Sequence, residues 1–407
     1  MFTGSLSVSG YCMAFISSNG EMRTLEFYTN RLSINDRQSG KYASVAVSNR
    51  HIVALTENGV VYTWGGGNNG QLGHGDTAYQ KTPKLVIQLP GPLPVVQVAA
   101  SETHTAVVKG WSDGNSRPTG AVWTCGNGEH GRLGHGNTDN LPIFGHVAAL
   151  EGEDVVQVAA GERHTVAVTR SGGVWAWGDV TYGQLGPEYS EDQLVPRKVE
   201  ALKGEDVVQV AAGALHTVAV TRAGEVWTWG ADWDGQLGRG YDELPGKVLN
   251  GLQHKHVVHV AAGEFHTVVV TSTGELWTWG DNDNGQLGHD RNDDDYDEPD
   301  EHNRYPMRVE ALNHVFVVAA DAGAGITAAI TSIGELYMFG NITGYDPEKE
   351  YPGVNRPTKS WQIDTITGRW KPVKHVTAPA DDKKVTDADG SGPTGLWPGF
   401  TTSSFLQ

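Results

Sequence analysis

Short runs of apolar residues, broken by glycine and single polar positions, recur along most of this chain in one register. The clearest copies read GERHTVAVTRSGGVWAWG (161–178), GALHTVAVTRAGEVWTWG (213–230) and GEFHTVVVTSTGELWTWG (263–280). The unit ends at Gly65, Gly126, Gly178, Gly230, Gly280 and Gly340. A near-constant period of this length predicts a repeat architecture in which neighbouring units share one continuous core.

Within a unit the pattern predicts four short strands. The first is VVQVAAG-like, at Val155–Gly161, Val207–Gly213 and Val257–Gly263. The second opens on a His-Thr pair and alternates, as in His164–Thr169. A two-residue turn carrying glycine joins it to a third strand ending in Trp-x-Trp-Gly. The fourth carries a proline near its start, at Pro83, Pro142, Pro196, Pro245, Pro306 and Pro357. Proline cannot donate to a ladder, so this strand is the expected outer edge. The Ala-Ala-Gly end of the first strand suits the crowded inner end.

Strand residues two apart share a face, so Trp175 with Trp177, Trp227 with Trp229 and Trp277 with Trp279 point the same way. Tyr62 with Trp64 and Tyr337 with Phe339 repeat the pairing. Burying two large aromatics per unit requires a second sheet stacked on that face. Four-stranded units in radial repetition make a β-propeller.

A degenerate copy at Tyr11–Ser17, Asn19-Gly20 and Glu21–Phe27 brings the count to seven. The predicted fold is all-β, a seven-bladed propeller of four-stranded antiparallel blades. Blades fall at about 4–36, 41–89, 95–150, 155–202, 207–252, 257–312 and 315–366. Val373–Ala378 echoes the first-strand motif and is predicted to close the ring by pairing into the N-terminal blade. The propeller then spans 1–378, and 379–407 reads as a Pro/Gly/Ser/Asp-rich tail.

Composition narrows the function classes. Of 407 residues, 48 are acidic and 30 basic, a net charge of −18. Gripping nucleic acid or an anionic membrane needs the opposite field, so basic protein partners are expected. The two cysteines, Cys12 and Cys125, cannot build a disulfide framework, which favours a reducing compartment. No apolar run reaches spanning length, and no signal or Arg-rich transit pattern stands at the start. A soluble intracellular protein is expected, the cytoplasm first, with organelle import or a ciliary assembly left open.

The His-Thr pair, the Trp-Gly end and the following Gly-Gln-Leu-Gly loop closely resemble the regulator of chromosome condensation repeat. That loop stands at Asn68–Gly73, Asp232–Gly238 and Asn282–Gly288, with Arg132 replacing Gln in Gly128–Gly134 and a shortened form at Thr181–Gly186. The resemblance covers about residues 41–366. It implies a seven-bladed propeller and leaves function open, because fold and function separate. Members serve as a Ran exchange factor that also binds chromatin, an ultraviolet-B photoreceptor, substrate-binding domains of ubiquitin ligases, scaffolds and a β-lactamase inhibitor. The photoreceptor's light-sensing tryptophans sit in Gly-Trp-Arg-His-Thr segments. Here the second position holds Asn49, Glu102, Glu162, Ala214 and Glu264, which argues against light sensing.

Most conspicuous residues are repeated and therefore read as structural. His51, His104, His164, His216 and His266 each open a second strand and are expected to bond backbone groups within their own blade. GEHGRLGHG (128–136) lacks the following helix that a phosphate loop needs. The string Asp387-Ala-Asp389-Gly390 lacks the acids that would complete a calcium loop. No catalytic residue, cofactor or metal site is expected.

Candidate binding residues lie where the repeat breaks. Residues 109–120 lengthen one hairpin and offer Trp111, Asp113 and Arg117. Residues 290–304 carry eight acids and one arginine between Asp290 and Glu301, a local net of −7. They contribute Asp293, Asp294, Asp295, Asp297, Glu298, Asp300 and Glu301. Residues 341–356 replace the Gly-Gln-Leu-Gly loop and contribute Tyr345, Asp346 and Glu348. Loops after strands one and three share a face, so the two acidic segments are expected side by side and the 109–120 insert opposite. The leading reading is a non-catalytic interaction propeller, a scaffold or adaptor whose acidic loops receive a basic partner segment. The alternative is a guanine-nucleotide exchange factor for a Ran-like small GTPase, with the 109–120 insert as its wedge.

Overall fold

The computed structural model describes residues 5–16, 20–26, 31–34, 40–87, 89, 91, 93–110, 120–240, 245–289, 301–341, 354–363 and 370–372. The chain divides into a unit Met1–His375 and a second unit Val376–Gln407, the latter wholly outside the described residues.

Seven antiparallel sheets are formed, each from strands consecutive in sequence. Blade one is Leu6–Val8, Cys12–Ile16, Met22–Glu26 and Arg31–Ile34. Blade four shows the full repeat as Val155–Ala160, His164–Thr169, Val174–Gly178 and Gln193–Lys198. Blade seven adds a fifth strand, Trp370–Pro372, outside Val354–Ile363. The sheets form a seven-bladed propeller. Pro83, Pro142 and Pro196 fall within outermost strands, where no further partner needs their missing N–H. In blade seven the proline-bearing strand is not the edge, but Trp370–Pro372 pairs only with its far end, Trp361–Ile363, leaving Pro357 clear.

The turn between the second and third strands is longer than the two residues expected. In blade five Thr221 N–H bonds Glu225 C=O and Gly224 N–H bonds Thr221 C=O, so Arg222–Gly224 make the turn. Gly224 sits at φ +81, the left-handed position that follows a type I turn in a three-residue hairpin.

The core lies between blades. Trp177, Trp229 and Trp279 are fully buried against valines and alanines of the preceding blade. Their partners Trp175, Trp227 and Trp277 are half-buried at the outer end. There Lys198, Lys247 and Lys255 stand 5.0, 5.3 and 5.5 Å from the ring centroids. The ammonium covers aromatic surface the core does not reach.

Polar side chains also tie neighbouring blades. Gln157 donates to Val210 C=O at 3.1 Å and accepts from Val210 N–H at 3.0 Å; Gln209 does the same with Val260. The repeated histidines correct the sequence expectation, for they bond across blades. His51, His104, His164, His216 and His266 place Nε2 at 2.7, 2.9, 2.9, 3.1 and 3.0 Å from Thr105, Thr165, Thr217, Thr267 and Thr327 Oγ1. Each threonine hydroxyl donates in turn to a main-chain carbonyl of the blade before it, Gln184 for Thr217 and Gln236 for Thr267. The hydroxyl has one proton and spends it there, so the imidazole must be the Nε2–H donor. Own-blade backbone was the wrong partner because strand pairing already satisfies it. Burial pushes His51, His216 and His266 down to about 3 and His164 to about 4, keeping them neutral.

Blade one packs directly on blade seven. Val8, Met13 and Phe15 share a core with Ile326, Ile330 and Met338, and Val8 N–H bonds the Asp321 carboxylate at 2.7 Å. The strand proposed at 373–378 and the tail at 379–407 lie outside the described residues. Among the described residues no helix is long and apolar enough to cross a membrane.

Candidate docking face

Because strands alternate in direction, the loops after the first and third strands emerge together. Backbone bonds join them: Asp179 N–H to Arg163 C=O at 3.0 Å, Ala231 N–H to Leu215 C=O at 3.0 Å and Asp281 N–H to Phe265 C=O at 2.9 Å. The inner loops approach one another so closely that a Cβ at Gly263 would run into the His266 ring and the Gly323 carbonyl of the next blade. Only glycine permits that spacing.

The residue after this position, which is glycine in blades four to seven and Ser48 or Ser101 in blades two and three, lines a cavity of about 170 Å³ around the axis, walled by Asn49, Glu102, Glu162, Ala214, Glu264 and Ala324 among others. Three of these are carboxylates. Burial raises the Glu264 carboxyl, and Glu162, Glu102 and Asp281 raise it further. Asp281 is raised by burial and by Asp283 and Asp234, despite bonds from Asp283 N–H and the Gln286 amide; Asp234 is raised by burial and Asp283. These acids sense one another, so the face carries concentrated negative potential. Partial compensation comes from Arg50, 3.7 Å from Glu102, and Asn49, whose amide donates to Glu102 at 2.7 Å.

Beside this rim lies an apolar patch. The Tyr182 and Trp233 rings meet edge to face at 4.7 Å between centroids, and Phe265 follows at 6.4 Å from Trp233. Trp233 is 51% exposed and Tyr182 36%. Tyr182, Pro187, Ala231, Trp233 and Pro245 line a cleft of about 220 Å³. The Trp233 loop is pinned from blade six, because Arg304 donates to Asp232 C=O at 3.0 Å and Trp233 C=O at 2.8 Å.

A possible metal-binding group is also present, for ligand atoms of His130, Asp179 and Asp192 lie within 4.8 Å of one another. The contacts read as a clasp between blades three and four. His130 Nδ1 meets Asp192 Oδ2 at 2.8 Å, Val180 N–H donates to Asp192 Oδ1, and Asp179 takes two bonds from Thr181 with Arg163 3.7 Å away.

Of the sequence candidates, Trp111, Asp113 and Arg117, then Asp293, Asp294, Asp295, Asp297, Glu298 and Asp300, then Tyr345, Asp346 and Glu348 lie outside the described residues. Glu301 begins the 3-10 turn Glu301–Arg304, with its side chain not described. That turn ends on Arg304, the residue that bonds the Trp233 loop. Sequence reasoning missed the rim acids as a group and the aromatic patch. Aligning the loops on Gly-Gln-Leu-Gly exposes the patch: Trp233 stands where other blades have Asn68, Glu129, Thr181 and Asp283.

The RCC1-like domain matches residues 8–251, and the regulator of chromosome condensation (RCC1) repeat matches 273–330 and, in a second form, 257–286. The chain belongs to the RCC1-like family. As an RCC1-like chain it is 40% identical over 238 residues to human E3 ubiquitin-protein ligase HERC2, covering 56% of this chain and 5% of HERC2. It is 36% identical over 303 residues to the ultraviolet-B receptor UVR8 of Arabidopsis thaliana, covering 74% of this chain and 65% of UVR8. The chain thus spans less than two thirds of either relative. The crystal structure of Prp20p from Saccharomyces cerevisiae, described with its binding to Gsp1p and histones, superposes with a TM-score of 0.68 at 23% identity. It covers 90% of this chain and 88% of that one, a likeness of fold alone.

Proposed function

We propose that this RCC1-like propeller is a non-catalytic scaffold or adaptor that receives a basic segment of a protein partner on the face made by the loops after its first and third strands. The observation that carries the reading is the acidic axial rim, where Glu102, Glu162 and Glu264 converge and Asp281 reinforces them. Carboxylates held together against mutual repulsion on a rigid frame favour a cationic ligand, which relieves the repulsion on binding. The candidate acids from Asp293 to Glu301, with Asp346 and Glu348, follow third strands in the sequence and are proposed to extend the field. Loops on a rigid scaffold are where such folds vary in specificity. The ligase activity in the HERC2 name is not part of the proposal.

The test compares the tagged full chain with a Glu102→Gln/Glu162→Gln/Glu264→Gln variant by quantitative mass spectrometry of co-purifying proteins at low and moderate salt. Salt-sensitive partners with basic segments, lost on the variant, are expected. An unchanged partner set on a variant that melts like the parent refutes the rim as the docking site.

A second reading, carried from the family resemblance, is guanine-nucleotide exchange on a Ran-like small GTPase. Exchange needs no chemistry of its own, only tighter binding of the nucleotide-free form. Release of a fluorescent GDP analogue from a panel of small GTPases separates the two, since a scaffold leaves the release rate unchanged.

A further inference from the structure

We propose that the cleft between Tyr182 and Trp233 is an anchor pocket for one aromatic or long aliphatic side chain of the partner segment, whose basic residues lie on the neighbouring acids. This rests on the docking reading and adds where the apolar contact is made.

The scaffold does not need these aromatics. At the Trp233 position other blades fold with Asn68, Glu129, Thr181 or Asp283; at the Tyr182 position they carry Asn69, His130, Asp234 or Asn284. Before the repeated histidine, Leu215 and Phe265 replace Arg50, Thr103 and Arg163. These apolar substitutions meet in space on blades four to six, though they are far apart in the chain: Tyr182 and Trp233 are exposed, and half-buried Phe265 packs on buried Leu215. An isolated exposed aromatic needs no explanation, but a contiguous patch with a cleft does. Tryptophan and tyrosine are also the side chains on which interface energy concentrates.

The pocket is pre-formed. The edge-to-face contact at 4.7 Å holds both rings, and Arg304 fixes the Trp233 backbone through two carbonyls. Little ordering cost therefore remains for binding. Its volume of about 220 Å³ is below the roughly 300–1,000 Å³ of small-molecule sites and suits a single side chain. Charge selects the occupant's neighbours. Asp234, Asp281 and Asp283 lie on the adjoining loops, and Arg304, the cation bonded to the Trp233 loop, is itself 3.8 Å from Asp232. An apolar anchor flanked by lysine or arginine fits; an acidic segment does not.

The probe is a phage-displayed library of random dodecapeptides selected on the immobilised full chain. Recovered sequences should share one Trp, Phe, Leu or Met beside two or more basic residues. A fluorescent copy of a recovered peptide should lose at least tenfold in affinity on Trp233→Asn, the residue blade two carries there, with its salt dependence intact. Tyr182→Asn should lose severalfold. The Glu102→Gln/Glu162→Gln/Glu264→Gln variant should flatten the salt dependence and keep the sensitivity to Trp233. Recovered peptides that are basic without an apolar residue, or that bind a normally melting Trp233→Asn variant as well as the parent, overturn the anchor and leave the acidic-face reading standing. A selection yielding no basic consensus overturns both.

Discussion

Replacing Thr217 by valine tests whether the histidine–threonine contacts bind the blades to one another. The side chain is fully buried, and valine keeps its shape while removing the hydroxyl. Two bonds disappear: His164 Nε2–H to Thr217 at 2.9 Å and Thr217 to Gln184 C=O at 3.0 Å. Gln184 C=O keeps the Trp229 indole N–H at 2.9 Å, so its loss is modest. The imidazole is worse off, because His164 Nδ1 already lacks a hydrogen-bond partner, and the ring would be left buried with neither nitrogen bonded. An unsatisfied buried donor costs about 1–3 kcal/mol and a second bond about 1, while the extra methyl returns about 0.8. The expected net loss is about 1–3 kcal/mol. Urea unfolding of the full chain reads it as a lower midpoint with unchanged slope. A double-mutant cycle with His164→Phe should show that the two losses overlap by at least about 1 kcal/mol. A change under about 0.5 kcal/mol, or simple additivity, would mean that apolar packing alone holds the blades.

Acid should unfold the protein through the same histidines. Their folded values lie near 3 to 4, below the ordinary 6.5, so between pH 6.5 and about 4 the unfolded chain binds protons the folded chain does not. Stability therefore falls as pH drops, by about 1.4 kcal/mol per pH unit for each histidine once the pH is well below 6.5; a flat urea midpoint from pH 7 to 5 refutes it. Asp321 has the opposite sign, since burial raises it to about 6 and its contribution is lost as pH rises from about 4 through 6. Asp321→Asn, which can keep the Val8 bond, should match or exceed the parent at pH 7.5 by up to about 3 kcal/mol, and a loss above about 1 kcal/mol counts against this account. Gly263→Ala should destabilise by several kcal/mol or prevent folding, whereas Gly152→Ala, at φ +86 with open space around it, should cost only about 1 kcal/mol in thermal melts. Equal losses at the two sites remove the close-approach argument. Burial raises the Cys12 thiol to about 11 and Cys125 well above its usual value, so neither should label with a disulfide reagent at pH 8 until the chain is unfolded.

The sequence by itself determined the repeat, and with it the fold. A fixed period, a Trp pair two residues apart and an edge proline are local facts whose physical meaning is the same wherever they occur. The pattern led to both tryptophans of a pair being buried; the structure leaves Trp175, Trp227 and Trp277 half-buried, each under a lysine. Tertiary structure decided what period and spacing do not encode. Which blade supplies the partner of His164 depends on how sheets stack, and the answer, Thr217 of the next blade, lies 53 residues away. The three-residue turn at Gly224 depends on the left-handed backbone reached there. The candidate docking face is the largest such case. Glu102, Glu162 and Glu264 look like single variations at one repeat position until the ring brings them around an axis. Tyr182, Trp233 and Phe265 come from three blades and form a patch because radial stacking places corresponding loops side by side. A repeat tells which residues the scaffold requires; only closure of the ring tells which of the remaining ones meet.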